Sequence, residues 1–214
     1  MNKLKADVAI VGGGLAGCST ALHLCQRGVS VVLLERALCG SQASGVNYGG
    51  VRQQGRPPVE LPLARRSRAL WGRMAELVGT DCEFMASGHL KLARSETEMA
   101  ELEAYAAQAA AWGLDLKLMG QNAIRDRYSW AGDKILGGSF CADYGHANPR
   151  LAAPAFARRA RALGADIREH THVVHAEKGG DGFRLATADG LEVWAPILVN
   201  AAGAWGHEDR KSVV

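Results

Sequence analysis

Residues 6–18 of this 214-residue chain read ADVAIVGGGLAGC, and the arrangement of apolar residues and glycines in them points to one kind of architecture. The apolar run from Asp7 to Val11 predicts a strand that stops at Gly12. Leu15 to Arg27 then has helical periodicity and ends before Gly28. A strand, a glycine turn and a helix in this order predict the first half of a βαβ unit.

The second half of the unit follows directly. Val31 to Leu34 is a continuous Val/Leu run that ends on Glu35, and such runs are typical of parallel strands buried on both faces. The sequence therefore predicts an α/β protein built on a parallel sheet.

The glycines are spaced as Gly12-x-Gly14-x-x-Gly17, after the predicted strand and at the start of the predicted helix. In a dinucleotide site the first glycine permits the tight turn, the second lets the backbone approach a pyrophosphate, and the third lets helix and strand pack closely. The N-terminus of the helix, at Leu15 and Ala16, offers N–H groups to the phosphates. A glycine-rich turn in an unrelated α/β protein is the alternative interpretation.

Glu35 lies 18 residues beyond Gly17, where an acidic residue accepts hydrogen bonds from a ribose hydroxyl. A carboxylate there would repel the additional phosphate of NADP. The pattern thus favours FAD or NAD as the ligand.

The middle of the chain departs from helix and strand alternation. Residues 41–58 are rich in glycine, serine and proline, which predicts a long functional loop, and Leu61 to Val78 predicts one amphipathic helix with solvated arginines. Strands are expected near 88–93, 116–118 and 135–141, with a helix that Ser95 and Glu98 open as a capping box. Residues 82–141 are therefore predicted to be an α+β insertion.

Alternation resumes afterwards. Asn148 and Pro149 predict the start of a helix that runs to Gly164, and strands are expected near 166–168 and 173–176. A hairpin is predicted across Asp189-Gly190, before a last apolar run at 197–201.

Several motifs together resemble the D-amino-acid oxidase-like FAD-dependent oxidoreductases, the family of glycine oxidase, sarcosine oxidase and D-amino-acid dehydrogenases. The resemblance covers about residues 6–205. It comprises the glycine turn, the loop ASGVNYGGVR at 43–52, the segment HANPR at 146–150 with its following helix, and VNAAGAW at 199–205.

This resemblance implies a fold, a cofactor and a site. The fold is a Rossmann-like FAD/NAD(P)-binding fold with an inserted α+β substrate domain, incomplete at the C-terminus. The cofactor is FAD, expected to be noncovalent because no histidine occurs between Gly40 and Pro57. Arg52 is the candidate catalytic residue beside the isoalloxazine. The candidate cofactor-binding residues are Gly12, Gly14, Leu15, Ala16, Gly17, Glu35, Arg36, Ser44, Asn47, Gly49, Gly50, Val173, Ala201, Ala202 and Gly203.

The implied activity is oxidation of a C–N bond of an amine or amino acid by hydride transfer to flavin N5. A non-catalytic FAD-binding fragment and an NAD-dependent dehydrogenase are the alternatives. A disulfide reductase is not indicated, because the sequence has neither a Cys-x-x-Cys pair nor a second Gly-x-Gly-x-x-Gly.

Composition limits the partners. The chain is 48% hydrophobic and 22% charged with a net charge of +3, its basic residues are dispersed, and no apolar run is long enough for a membrane helix. We expect a small amine or amino-acid substrate and no nucleic acid, with an electron acceptor or a second subunit as a further candidate partner, and the sequence carries no strong membrane signal. Five cysteines without metal-ligand spacing predict no metal site and a cytoplasmic location.

The predicted domain organisation has four parts. Residues 1–81 and 142–208 are the two parts of the FAD-binding domain, and 82–141 are a portion of the substrate domain. Residues 209–214, DRKSVV, resemble the in-frame translation of a sequencing adapter. We hypothesise that they are a non-native tail.

Overall fold

The structure, a computed structural model, describes residues 3–206. Its strands are β1 (Lys3–Lys5), β2 (Val8–Val11), β3 (Val31–Leu34), β4 (Gly50–Val51), β5 (His89–Ala93), β6 (Lys117–Gly120), β7 (Gly137–Cys141), β8 (Gly145–His146), β9 (Asp166–Arg168), β10 (Val173–Lys178), β11 (Phe183–Thr187), β12 (Glu192–Ala195) and β13 (Ile197–Asn200). Its α-helices are α1 (Leu15–Cys25), α2 (Leu61–Trp71), α3 (Met74–Val78), α4 (Glu96–Ala109), α5 (Gln121–Arg127) and α6 (Pro149–Ala162). Single 3-10 turns cover Pro58–Glu60 and Gly203–Trp205.

The chain forms two compact units. Within the described residues, the first takes in the chain up to Tyr48, Ala75–Cys82 and the chain from Asn148 onward. The second takes in Gly49–Met74 and Glu83–Ala147, so it includes residues 49–74 in addition to most of the predicted insertion.

The first unit contains the βαβ unit that the sequence predicts. Its parallel sheet has the order β13-β2-β3-β9, with Val8 paired to Val31 on one side and to Ile197 on the other. α1 packs on β3 and against α6. The α/β prediction is confirmed.

A second sheet of the first unit has the order β1-β12-β11-β10. It buries Leu185 and Val193 against Ala9, Val32 and Leu34 of the parallel sheet. The hairpin at Asp189-Gly190 is confirmed by a positive φ of 83° at Gly190, and it joins two of these strands. The parallel sheet is thus covered by helix on one face and by strands on the other.

The second unit has an antiparallel sheet of order β5-β7-β6. Helices α4 and α5 pack on this sheet, and they bury Leu102 and Ile124, respectively. β4 pairs with β8 in a separate two-stranded ribbon. The predicted mixture of strands and helices is present, with the strand and helix bounds given above.

The prediction of one helix from Leu61 to Val78 is wrong. α2 ends at Trp71, the Arg73 N–H donates to the carbonyl of Leu70 at 2.9 Å, and α3 then begins at Met74. Glycine is a poor helix former, so the chain turns there. Leu63 is exposed while Met74 is buried, which shows that the apolar residues do not form one continuous face.

The sequence predicts that the arginines of α2 are solvated, and for two of them this prediction is wrong. The Arg68 side chain is only 15% exposed, pairs with Asp143 at 3.0 Å and lies over the ring of Phe84. The Arg65 guanidinium donates to the carbonyl of Trp112. These two arginines hold the helix to other parts of the second unit.

Candidate functional site

A cavity of about 310 Å³ opens in the first unit, where β2, β3 and β13 end beside the N-terminus of α1. The carboxyl ends of parallel strands are where open α/β sheets bind ligands. Many of the candidate residues line this cavity: Gly12, Gly14, Leu15, Ala16, Glu35, Arg36, Ser44, Val173, Ala201, Ala202 and Gly203. The structure thus brings together residues that lie up to 191 positions apart in the chain, from Gly12 to Gly203.

Two glycines of the turn are required by close backbone packing. A Cβ on Gly12 would lie 2.4 Å from the carbonyl oxygen of Ala201, and Gly12 has a φ of 104°. A Cβ on Gly17 would lie 2.0 Å from the carbonyl oxygen of Gly12. Gly17 does not line the cavity; it brings α1 against the strand end, the role that the motif assigns to its third glycine.

Gly14 has more open surroundings. A Cβ there would meet only the Ser44 hydroxyl, at 3.1 Å. The Ser44 Oγ accepts a hydrogen bond from the Leu15 N–H at 2.9 Å, so it occupies one of the free amides at the start of α1. Ser44 therefore fastens the loop to the N-terminus of the helix, and the Gly14 backbone is left accessible on the cavity side.

Glu35 is buried and its two carboxylate oxygens are both used within the protein. One accepts the Gly13 N–H at 2.6 Å and the other accepts the Ala37 N–H at 2.8 Å. A carboxylate has about four acceptor positions, so it can still accept from a ligand hydroxyl. Glu35 thus supports the glycine turn as well as facing the cavity.

Arg36 and Trp205 form a stacked pair at the cavity wall. The guanidinium carbon of Arg36 is 3.8 Å from the centroid of the Trp205 indole, which is a cation–π geometry. Trp205 was not among the candidate site residues. Its position at the end of the VNAAGAW motif was the signal that could have identified it.

A polar cluster lies beside the loop that carries Cys39. The Cys39 N–H donates to Glu169 at 2.7 Å, and Arg161 pairs with the same carboxylate at 2.9 Å. Burial alone would raise the pKa of Glu169, but the Cys39 amide and Arg161 stabilise its anion and lower that pKa overall.

The Cys18 and Cys39 thiols also meet there, a contact that their spacing in the sequence did not reveal. Their hydrogen bond, together with burial, raises the pKa of Cys39. These two effects favour the neutral thiol of Cys39 over its thiolate.

The remaining candidates lie elsewhere. Asn47 donates to the carbonyls of Ala43 and Ser44, both at 3.0 Å, and does not line the cavity. Gly49, Gly50 and Arg52 belong to the second unit, where the Arg52 guanidinium donates to the carbonyl of Gln54 at 2.7 Å. Their roles toward a cofactor stay predictions.

Residues 3–206 contain neither a cluster suited to a metal ion nor a helix suited to a membrane span. No group of three or more His, Cys, Asp or Glu side chains is arranged to hold a metal ion. No helix in the same range combines the length and the apolar character needed to cross a membrane.

Comparison with known proteins gives a family match. The model of the family DAO, described as FAD dependent oxidoreductase, matches residues 7–213. Among curated proteins, glycine oxidase of Bacillus licheniformis is 30% identical over 94% of this chain and 55% of its own length. Human mitochondrial sarcosine dehydrogenase is 27% identical over 94% of this chain and 23% of its own length.

Solved structures agree with the family match. The crystal structure of glycine oxidase from Geobacillus kaustophilus superposes with a TM-score of 0.92 at 28% identity, over 98% of this chain and 58% of that one. The chain spans about 55% of the length of the glycine oxidases that it matches.

Proposed function

Because the chain belongs to the DAO family of FAD-dependent oxidoreductases, we propose that its cavity binds the adenosine and pyrophosphate part of FAD, and that the protein oxidises a C–N bond of an amine or amino acid. FAD is the cofactor of this family.

The observation that carries the proposal is the meeting of Gly14, Glu35 and the N-terminus of α1 in one cavity. A pyrophosphate requires N–H donors and a close backbone, which the helix N-terminus and Gly14 supply. A ribose requires an acceptor, which Glu35 supplies. An aromatic and a cationic side chain, Trp205 and Arg36, supply a wall for the flat adenine ring.

When bound, FAD would supply the two-electron oxidation of the C–N bond, as a hydride acceptor at flavin N5. The chain's own residues bind and orient the cofactor. Arg52 is the residue that we assign to the flavin ring, where its fixed positive charge would stabilise an anionic reduced flavin. Noncovalent binding of FAD, a separate electron acceptor or second subunit and a cytoplasmic location stay predictions.

The substrate class follows from the relatives. The matched proteins are named glycine oxidase and sarcosine dehydrogenase, and both names refer to small amino acids. We propose a small amine or amino acid as the substrate of this protein.

The test is spectroscopic. Purified protein should show the visible absorbance bands of flavin, and anaerobic addition of glycine, sarcosine and other amines should bleach them for at least one compound. Yellow protein that no amine or amino acid bleaches would support a non-catalytic FAD-binding role. Colourless protein with nicotinamide-dependent turnover would overturn the proposal in favour of an NAD-dependent dehydrogenase.

A further inference from the structure

The second unit contains a groove of about 400 Å³ that shares no residue with the cavity of the first unit. We define the amino-acid groove as the space between the 54–58 loop, Lys91 on β5 and one side of α4. Its lining combines two aromatic rings, three charged side chains and a buried amide. Each of these features selects a different part of a ligand.

The aromatic wall is formed by two rings that are in contact with each other and with the core of the second unit. The rings of Tyr105 and Trp112 meet edge to face, with centroids 5.2 Å apart and planes at 66°. The Tyr105 hydroxyl donates to the carbonyl of Arg56 at 3.2 Å. Both rings pack on a cluster whose buried members include Leu61 and Leu114. This wall offers a preformed apolar surface for a side chain.

The charged side chains of the lining are Lys91, Glu101 and Arg56. Lys91 and Glu101 are exposed and form no ion pair within residues 3–206, whereas Arg56 pairs with Glu60 at 3.0 Å. An ammonium group attracts a carboxylate, and a carboxylate attracts an amine. Two unpaired opposite charges beside one apolar wall complement a zwitterion.

A buried polar atom indicates that a donor is missing. Gln54 lines the groove, is only 1% exposed, and its amide nitrogen lies 3.2 Å from Nδ1 of His89 and 3.4 Å from the Ser139 carbonyl oxygen. Its carboxamide oxygen has no hydrogen-bond partner among the described residues. Buried acceptors normally find a donor, and a ligand amine would be one.

We propose that this groove binds a free amino acid with an apolar side chain, with its carboxylate at Lys91, its amine toward Glu101 and Gln54, and its side chain on the Tyr105–Trp112 wall. The zwitterionic class follows from the groove itself. Only a role of this binding in catalysis would rest on the proposed function.

The test measures binding to the full chain by calorimetry, with saturation-transfer NMR as a second method. The probes are L-phenylalanine and two analogues, phenethylamine without the carboxylate and phenylpropionate without the amine. Lys91→Gln and Glu101→Gln should each raise the Kd for phenylalanine about two- to fivefold. The matched controls are Lys117→Gln on β6 and Glu103→Gln on α4, both exposed, and they should leave the Kd unchanged.

Two further expectations complete the test. Each analogue should bind more weakly than phenylalanine, and the flavin content of all four variants should equal that of the wild type. No binding of phenylalanine by either method, equal binding of all three probes, or an unchanged Kd in both groove variants would overturn the proposal. Because the readout is binding, failure here leaves the flavin-bleaching test of the proposed function intact.

Discussion

Glu35 combines two tasks in one carboxylate, since it accepts the Gly13 and Ala37 N–H groups and also lines the cavity of the first unit. Glu35→Ala should therefore weaken FAD binding by about 1 to 3 kcal/mol without unfolding the protein, through loss of ribose hydrogen bonds and of support for the turn. Fluorescence titration of apoprotein with FAD measures this. Glu35→Gln keeps one acceptor oxygen and should lose less. An unchanged affinity in the alanine variant would reduce Glu35 to a charge at a strand end.

A variant of Gly14 tests the proposed phosphate-binding role of the glycine turn. Gly14→Val should abolish nucleotide binding, because its side chain would press on the Ser44 hydroxyl, only 3.1 Å from the Cβ position, and fill the space of the pyrophosphate. FAD content after purification and reconstitution is the measurement. Gly132→Val is the matched control, since nothing lies within 4 Å of a Cβ there. Normal FAD content in the Gly14 variant would contradict the assignment of the turn.

A variant of Arg52 tests the proposed contact with the flavin ring. Arg52→Met keeps much of the apolar stem but removes the charge, so it should slow flavin reduction while leaving FAD bound. Stopped-flow reduction rates and FAD content separate the two effects. The Arg52 guanidinium also donates to the carbonyl of Gln54, so thermal unfolding of the variant is needed as a folding control. Reduction as fast as in the wild type would make Arg52 a purely structural arginine.

Among the secondary-structure elements, α4 begins as its sequence predicts. The Ser95 Oγ accepts the Glu98 N–H at 3.2 Å, while the Glu98 carboxylate accepts the N–H of Arg94, one residue before the usual capping-box partner. Ser95→Ala should lower the free energy of unfolding by about 0.5–2 kcal/mol. Urea denaturation measures it, and Thr97→Ala in the same turn, also exposed, should have little effect. Equal urea midpoints for Ser95→Ala and wild type would show that the Ser95 cap does not stabilise the protein.

Local signals explain which elements were predictable. Three of the predictive signals act over a few residues: the turn glycines, the Ser95 cap and Asn148-Pro149. In the structure α4 starts after Ser95 and α6 starts after Asn148. The sequence does not predict the break after Trp71, because the apolar periodicity continues across Gly72 although the helical backbone ends there. α5 was missed because seven residues with one buried apolar side chain, Ile124, give little periodic signal.

Long-range contacts explain what sequence could not supply for the molecule as a whole. The glycine motif predicts the turn, but not that Ala201 closes on Gly12 or that Ser44 caps α1. Nor does cysteine spacing reveal that Cys18 and Cys39 meet. Such contacts are set by packing between segments that only the folded chain brings together. The resemblance to a family indicated two of these segments, 43–52 and 199–205, which the physical patterns alone did not identify as parts of one site.

Glu169 is one such long-range contact, and it links stability to pH. Its carboxylate accepts the Cys39 N–H, 130 positions away in the chain, and pairs with Arg161. These partners lower the pKa of Glu169 below its ordinary value of 4.5. The folded state therefore binds this proton more weakly than the unfolded state does. The resulting stabilisation is fully present above the unfolded pKa and is lost as pH falls through the folded pKa.

The expected signature is a pH-dependent difference between wild type and Glu169→Gln. At about pH 7 the wild type should have the higher urea midpoint, and by about pH 4 the difference should shrink, because a protonated Glu169 resembles glutamine. Glu103→Gln on the exposed side of α4 supplies the control and should show no such convergence. A constant difference at both pH values would mean that Glu169 stabilises the fold through packing or neutral hydrogen bonds. A difference that shrinks at low pH would assign the stabilisation to the charge of Glu169, whose carboxylate contacts both the Cys39 loop and Arg161 at the end of α6.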